Sequence, residues 1–193
     1  MAERMKLTWL LGAFLLCLAP ALFAQDPQLK KLRDEDQAVR ANPELRVARS
    51  DEDRIKLVLQ LLAEGKAQTS EDKYNAAIVL QHTPADFCGK RLVSTSPDNY
   101  LLAHYLAEQA FAGGYKDARL LVAQSIDRYL SFTKGYQMYG TNRFVNQKTG
   151  REELVPIDRK VPDSERAKYG VPPLRELLKE YPEQSSTEDP ESH

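Results

Sequence analysis

The sequence predicts a mainly-α fold: a single compact helical domain of five to six helices, with a C-terminal loop or small β-hairpin. Three observations predict it. Apolar residues recur at helical spacing through most of residues 28 to 133. Helix start and stop residues punctuate that stretch at helix-sized intervals. After Gly135 the helical spacing fades and turn residues take over.

The first helix, 28–41, is rich in charge and stops before Pro43, because the residue before a proline disfavours the helical conformation. The second is better marked. Ser50 can cap it, Asp51, Glu52 and Asp53 fill its positive first turn, Ile55 to Leu62 supply apolar side chains, and Gly65 ends it. The third starts at Thr69 or Ser70, with Asp72 three residues beyond Thr69, and runs to His82 before Pro84. Ser96 and Pro97 read as cap and first-turn proline of a fourth helix that ends at Gly113 and Gly114. The fifth covers 116–133. Small residues at Ala103, Ala107, Ala110, Ala118 and Ala123 let the fourth and fifth helices approach closely as a hairpin. No second copy of this hairpin recurs at a fixed period, so a solenoid is not supported.

Residues 142–157 read as a loop or small β-hairpin around the turn-like stretch Asn146 to Gly150. One or two helical turns follow at 164–169. Pro172 and Pro173 open a last helix, 174–181, and the polar, acidic segment 183–193 reads as a disordered tail.

The chain of 193 residues begins with a basic lead (Arg4, Lys6), an apolar run from Leu7 to Leu18, and small residues with a proline, Ala19 to Ala24. That is the layout of a secretory signal peptide over 1–24, with cleavage after Ala24 or Ala21. Its apolar run, about 12 residues or roughly 18 Å as a helix, is shorter than the ~30 Å hydrocarbon core. The expectation is an exported protein, periplasmic or secreted, with one helical domain over 25–182. The whole chain carries 27 Lys+Arg and 28 Asp+Glu. Two of the basic residues and one acidic residue lie in the leader, leaving a net charge of about −2 with both signs interspersed. This balance gives no footprint for nucleic acid or an anionic membrane. Loss of the leader also leaves Cys88 as the only thiol, so no intrachain disulfide can form, and the side chain is either buried or open to mixed-disulfide chemistry. The three histidines have no metal-site spacing and there is no cysteine pair, so neither a zinc site nor any other cofactor is expected.

Several polar side chains stand where apolar ones belong. Asp127 lies on a stripe with Leu120, Ala123 and Leu130, so it is either buried, in an ion pair with an arginine or as an acceptor for a helix terminus, or at the wall of a cavity. Gln81 and His82 follow Ala77, Ile78 and Val79 at the end of the third helix. There the imidazole either complements the helix dipole or carries a proton. His104, beside Tyr100 and Leu101, reads as an edge or core residue. Asp36, Gln37 and Arg40 share one turn of the first helix, as a solvated face or as part of a site. Gln137, Tyr139, Gly140, Thr141 and Asn142 place an amide, a phenol, a glycine and a hydroxyl in a short non-helical stretch. It is either a ligand-contact loop or a turn that satisfies helix ends. Nucleophile-elbow, phosphate-loop and dinucleotide fingerprints are absent.

Four strings carry a resemblance: Asp36-Gln37-Ala38-Val39-Arg40; Ala76-Ala77 leading to Leu80-Gln81-His82; Asp127-Arg128-Tyr129-Leu130; and Gln137-Met138-Tyr139-Gly140-Thr141. Weaker matches run from Gly150 to Pro156 and from Arg166 to Leu174. In their order and spacing these resemble an uncharacterised bacterial family, domain of unknown function 6624, over about residues 34–178. Two departures stand out: Asn142 where the family usually has a second glutamine, and Gly65-Lys66-Ala67 where it often has Gly-Trp-Pro. The resemblance implies a mostly helical domain and points to the same polar groups; it implies no activity.

Together these readings place Asp36, Gln37, Arg40, Gln81, His82, Asp127, Arg128, Gln137 and Tyr139 in one polar cluster. Such a cluster would bind a small polar molecule or peptide, with Tyr136 and Tyr139 as apolar contacts. Alternatively it would serve a hydrolase or lyase in which His82, oriented by Asp36 or Asp127, acts as base and Arg40 or Arg128 stabilises negative charge. A third alternative is that the cluster only holds the helices and the loop together.

Overall fold

Each of the first three helices begins at a side chain that accepts hydrogen bonds from its own first turn. The computed structural model describes residues 24–183 except 43, 47, 89, 90 and 147. Asp26 caps α1 (Pro27–Ala41) through the amides of Gln28 and Leu29. Ser50 and Asp53 form a reciprocal capping box on α2 (Asp51–Ala63), and Thr69 and Asp72 form another on α3 (Ser70–Gln81). Asp72 also accepts the Asp26 amide at 2.7 Å, which ties the start of α1 to the start of α3.

An antiparallel hairpin, β1 (Ala85–Cys88) with β2 (Arg91–Ser94), joins α3 to α4 (Asp98–Ala112). The sequence reading gave these residues no element. Nor does Ser96 cap α4 with its side chain: the helix follows Pro97, and the Ser96 carbonyl accepts the Asn99 amide instead. α5 (Ala118–Lys134) ends at Gly135, whose φ of 75° is the left-handed conformation usual after a helix. Beyond it come the hairpin β3 (Arg143–Val145) and β4 (Glu152–Leu154), then α6 (Asp163–Lys168) and α7 (Leu174–Glu180).

The fold is therefore mainly α, with seven helices among the described residues and two small antiparallel strand pairs. α4 packs most extensively on α5 and α3. Ala103, Ala107, Ala110, Ala118 and Ala123 are all fully buried, so the close hairpin expected from small residues is present. Leu29, Ile55, Val58, Val79, Leu80 and Val122 form the centre, and Tyr139, Leu154, Ile157 and Leu177 extend the same core under the C-terminal segments. Leu120, assigned to an apolar stripe, is instead exposed. No helix among the described residues is long and apolar enough to cross a membrane.

The expected leader lies outside the described residues except for Ala24, and the expected tail does so except for Glu183. Glu183 belongs to the fold: its carboxylate accepts the Ile157 amide at 2.9 Å and pairs with Arg159.

Candidate functional site

Asp36 faces inward on α1, on the side that carries Leu29 and Leu32, and is 1% exposed. A carboxylate there requires partners. It has them on both oxygens. One accepts from Nδ1 of His82 at 2.6 Å and from the side-chain Nε2 of Gln37 at 2.9 Å. The other accepts from Nη2 of Arg40 at 3.0 Å and lies 3.9 Å from Nε of Arg54. A second carboxylate, Asp51, stands 3.1 Å from the same Arg40 nitrogen and also pairs with Arg54. Arg54 is 1% exposed and donates to the Arg49 carbonyl at 2.7 Å.

His82 sits just past the last turn of α3, partly exposed. An ionised Asp36 can only accept, so Nδ1 of the ring carries a proton and Nε2 is the nitrogen turned away from the carboxylate. Among the described residues Nε2 has no hydrogen-bond partner. The preceding carbonyl, of Gln81, accepts Nη1 of Arg128 at 2.7 Å. The following residue, Thr83, is held by Tyr100, whose hydroxyl donates to the Thr83 carbonyl at 2.7 Å. Arg128 in turn lies over the Tyr100 ring at 5.9 Å. Burial pulls the Arg128 guanidinium below its ordinary pKa; Tyr100 opposes this and the nearby Arg40 adds to it. Arg128 has no carboxylate partner among the described residues. The buried Oε1 of Gln81 also lacks a hydrogen-bond partner there.

The rest of the expected cluster is built around the loop after α5. Asp127 is fully buried and accepts four hydrogen bonds, two on each oxygen: from the amides of Met138 (2.7 Å) and Tyr139 (2.8 Å), and from the amide (2.9 Å) and hydroxyl (2.8 Å) of Thr141. Burial pushes this carboxyl above its ordinary pKa, and the four donors pull it back. Arg166, buried on α6, grips the same stretch from the carbonyl side, donating to Tyr139 and, at 3.0 Å, to Met138. Gln137 closes the next link. Its side chain accepts the Asn142 amide at 2.7 Å and donates to the carbonyls of Asn142 at 2.9 Å and Val155 at 2.8 Å. These bonds use only the backbone of Asn142, so they do not depend on which side chain stands at that position. Tyr139 is buried edge-on against Tyr169, with ring centroids 5.3 Å apart, and burial pushes its phenol up to about 12.

The nine expected residues thus fall into two sets. Asp36, Gln37, Arg40 and His82 come together, with Arg128 joined to them through Gln81. Asp127, Gln137 and Tyr139 form a separate set that shares no hydrogen bond with the first. The hydrogen-bond partners of Asp127 are three backbone amides and the Thr141 hydroxyl, with the expected arginine, Arg166, acting on it only electrostatically, and Tyr139 is too buried to offer a ligand an apolar face. Arg54 and Asp51 are members that sequence reasoning missed. The signal for Arg54 was its place on the inward stripe, four residues before Val58 and seven before Leu61.

Gly140 shows how tightly the loop is packed. Its φ is 87°, and a Cβ there would lie 2.9 Å from Leu177 Cδ1 and 3.0 Å from Ile157 Cδ1. Gly140→Ala should therefore destabilise the protein by about 2 kcal/mol, measured by urea denaturation.

Of the remaining expected features, His104 bonds the Val122 carbonyl at 3.0 Å, and Cys88 is exposed rather than buried. A cleft of about 220 Å³ lies between α1 and α2, floored by Leu32, Leu57 and Leu61, and shares no residue with the Asp36 set. Among the described residues no group of three His, Cys, Asp or Glu side chains gathers to hold a metal ion. No family model, curated protein or solved structure matches the chain.

Proposed function

We propose that this is an exported binding protein whose site is the partly exposed group of His82, Arg40 and Arg128, for a small polar ligand. The observation that carries this reading is the His82 ring, held through Nδ1 by a buried carboxylate while Nε2 is left without a partner among the described residues. A side chain already fixed in orientation loses little entropy when it meets a ligand. Asp36 and Asp51 position Arg40 in the same way. A purely structural network would pair every member, and Arg128, with one carbonyl and one ring as partners, departs from that. Export follows from the leader-like first 24 residues.

The same Nδ1 contact favours a second reading, a hydrolase or lyase in which His82 takes a proton through Nε2. A carboxylate behind an imidazole sets its tautomer and orientation, as catalytic bases require. Water would be the attacking group, and Arg128 would stabilise developing negative charge.

A thermal-shift screen of the purified protein against metabolites and cell-wall fragments tests both. Hits are expected to shift the His82 ring ¹⁵N resonances and to be lost in His82→Gln. Binding that never perturbs this ring would overturn the assignment of the site. Turnover of a hit that Asp36→Asn slows about tenfold or more, with little change in affinity, would establish the catalytic reading.

A further inference from the structure

We infer that the ligand of this site presents an oxyanion, a carboxylate or a phosphate group, to Arg128 and the open edge of Arg40 beside His82. The inference rests on the reading of the His82 group as a ligand site. Arg40 and Arg54 pair with the two carboxylates Asp36 and Asp51, whereas Arg128, joined to this group through the Gln81 carbonyl, has no carboxylate partner among the described residues, which leaves one positive charge in excess. Arg54 is enclosed by both carboxylates and the Arg49 carbonyl. Arg40 spends Nη2 on Asp36 and Asp51, and its other nitrogens have no partner among the described residues.

The excess charge therefore sits on Arg128. Its sequence neighbour Asp127 points into the loop and acts electrostatically on Arg166 instead. The bonding chain ties both open guanidinium groups to His82: Arg128 holds the carbonyl just before it, and Arg40 holds the carboxylate that grips its ring. Planar N–H pairs match the oxygens of carboxylates and phosphates, whereas a neutral ligand would leave the charge uncompensated. The effect of Arg40 on Arg128, which lowers its proton affinity, is one that a bound anion would relieve.

The test is an NMR titration of the full chain at constant ionic strength, following the His82 ring nitrogens. The probes are inorganic phosphate, succinate, and the neutral molecules acetamide and glycerol. Phosphate or succinate should shift the ring saturably and the neutral molecules should not; the anion that saturates first identifies the group. Arg128→Gln should weaken that binding about tenfold or more. Arg128→Lys, which keeps the charge but loses the planar N–H pair, should retain part of it, and Arg151→Gln on the exposed hairpin should leave it unchanged. Saturation by a neutral probe without any response to anions would overturn the oxyanion and leave the site standing. A ring unmoved by every probe would overturn both. The titration of the unsubstituted protein decides this even where a variant fails to fold.

Discussion

Asp127→Ala is expected to destabilise the protein by about 4 kcal/mol, as read by urea denaturation with an unchanged slope. The substitution strands three amides, the buried one of Tyr139 and the part-buried ones of Met138 and Thr141, together with the Thr141 hydroxyl. Each unsatisfied buried donor costs about 1–3 kcal/mol, and partial access of water to the loop keeps the total below the simple sum. Asp127→Asn should cost less, about 2 kcal/mol, because one amide oxygen can still serve Met138 and Tyr139 while its NH₂ group faces the Thr141 amide. An alanine variant as stable as the parent would mean that the loop is not held this way.

Asp36→Ala should cost about 3 kcal/mol. It removes the acceptor of His82 and one of the two carboxylates around Arg54, a guanidinium almost fully enclosed by protein. Asp51 remains to pair with Arg54 and Arg40, which limits the loss. The His82 ring nitrogens report the change independently of stability: with Nδ1 released, the tautomer preference imposed by the carboxylate should disappear from the ¹⁵N spectrum. Because the two sets of side chains share no hydrogen bond, the Asp36→Ala and Asp127→Ala costs should add within about 0.5 kcal/mol. A larger coupling would show that the sets act as one.

Features that depend on near neighbours were legible in the chain. Ser50 with Asp53 and Thr69 with Asp72 announce their helices because a capping box needs only residues three apart. The alanines of α4 and α5 announce close packing for the same reason. β1 and β2 were not legible, since four-residue strands are too short to show an alternating pattern. Asp127 stood out as a carboxylate on an apolar stripe, but three of its four partners are backbone amides, which carry no signature in the residue types. The joining of Asp36 to His82 spans 46 positions and depends on how α1 packs on α3, so spacing alone left Asp36 and Asp127 as equal candidates. Arg54 was hidden among the acidic residues that open α2, although helical phase places it inward.

Asp127 and Arg128 are consecutive on α5 and leave it about 100° apart in azimuth. The buried Leu121, Val122 and Ala123, packed against α4, set the roll of that cylinder about its own axis. One rod thus presents a carboxylate to the C-terminal loop and, about 100° on, a cation to the end of α3, so this single helix is the shared wall between two otherwise independent clusters.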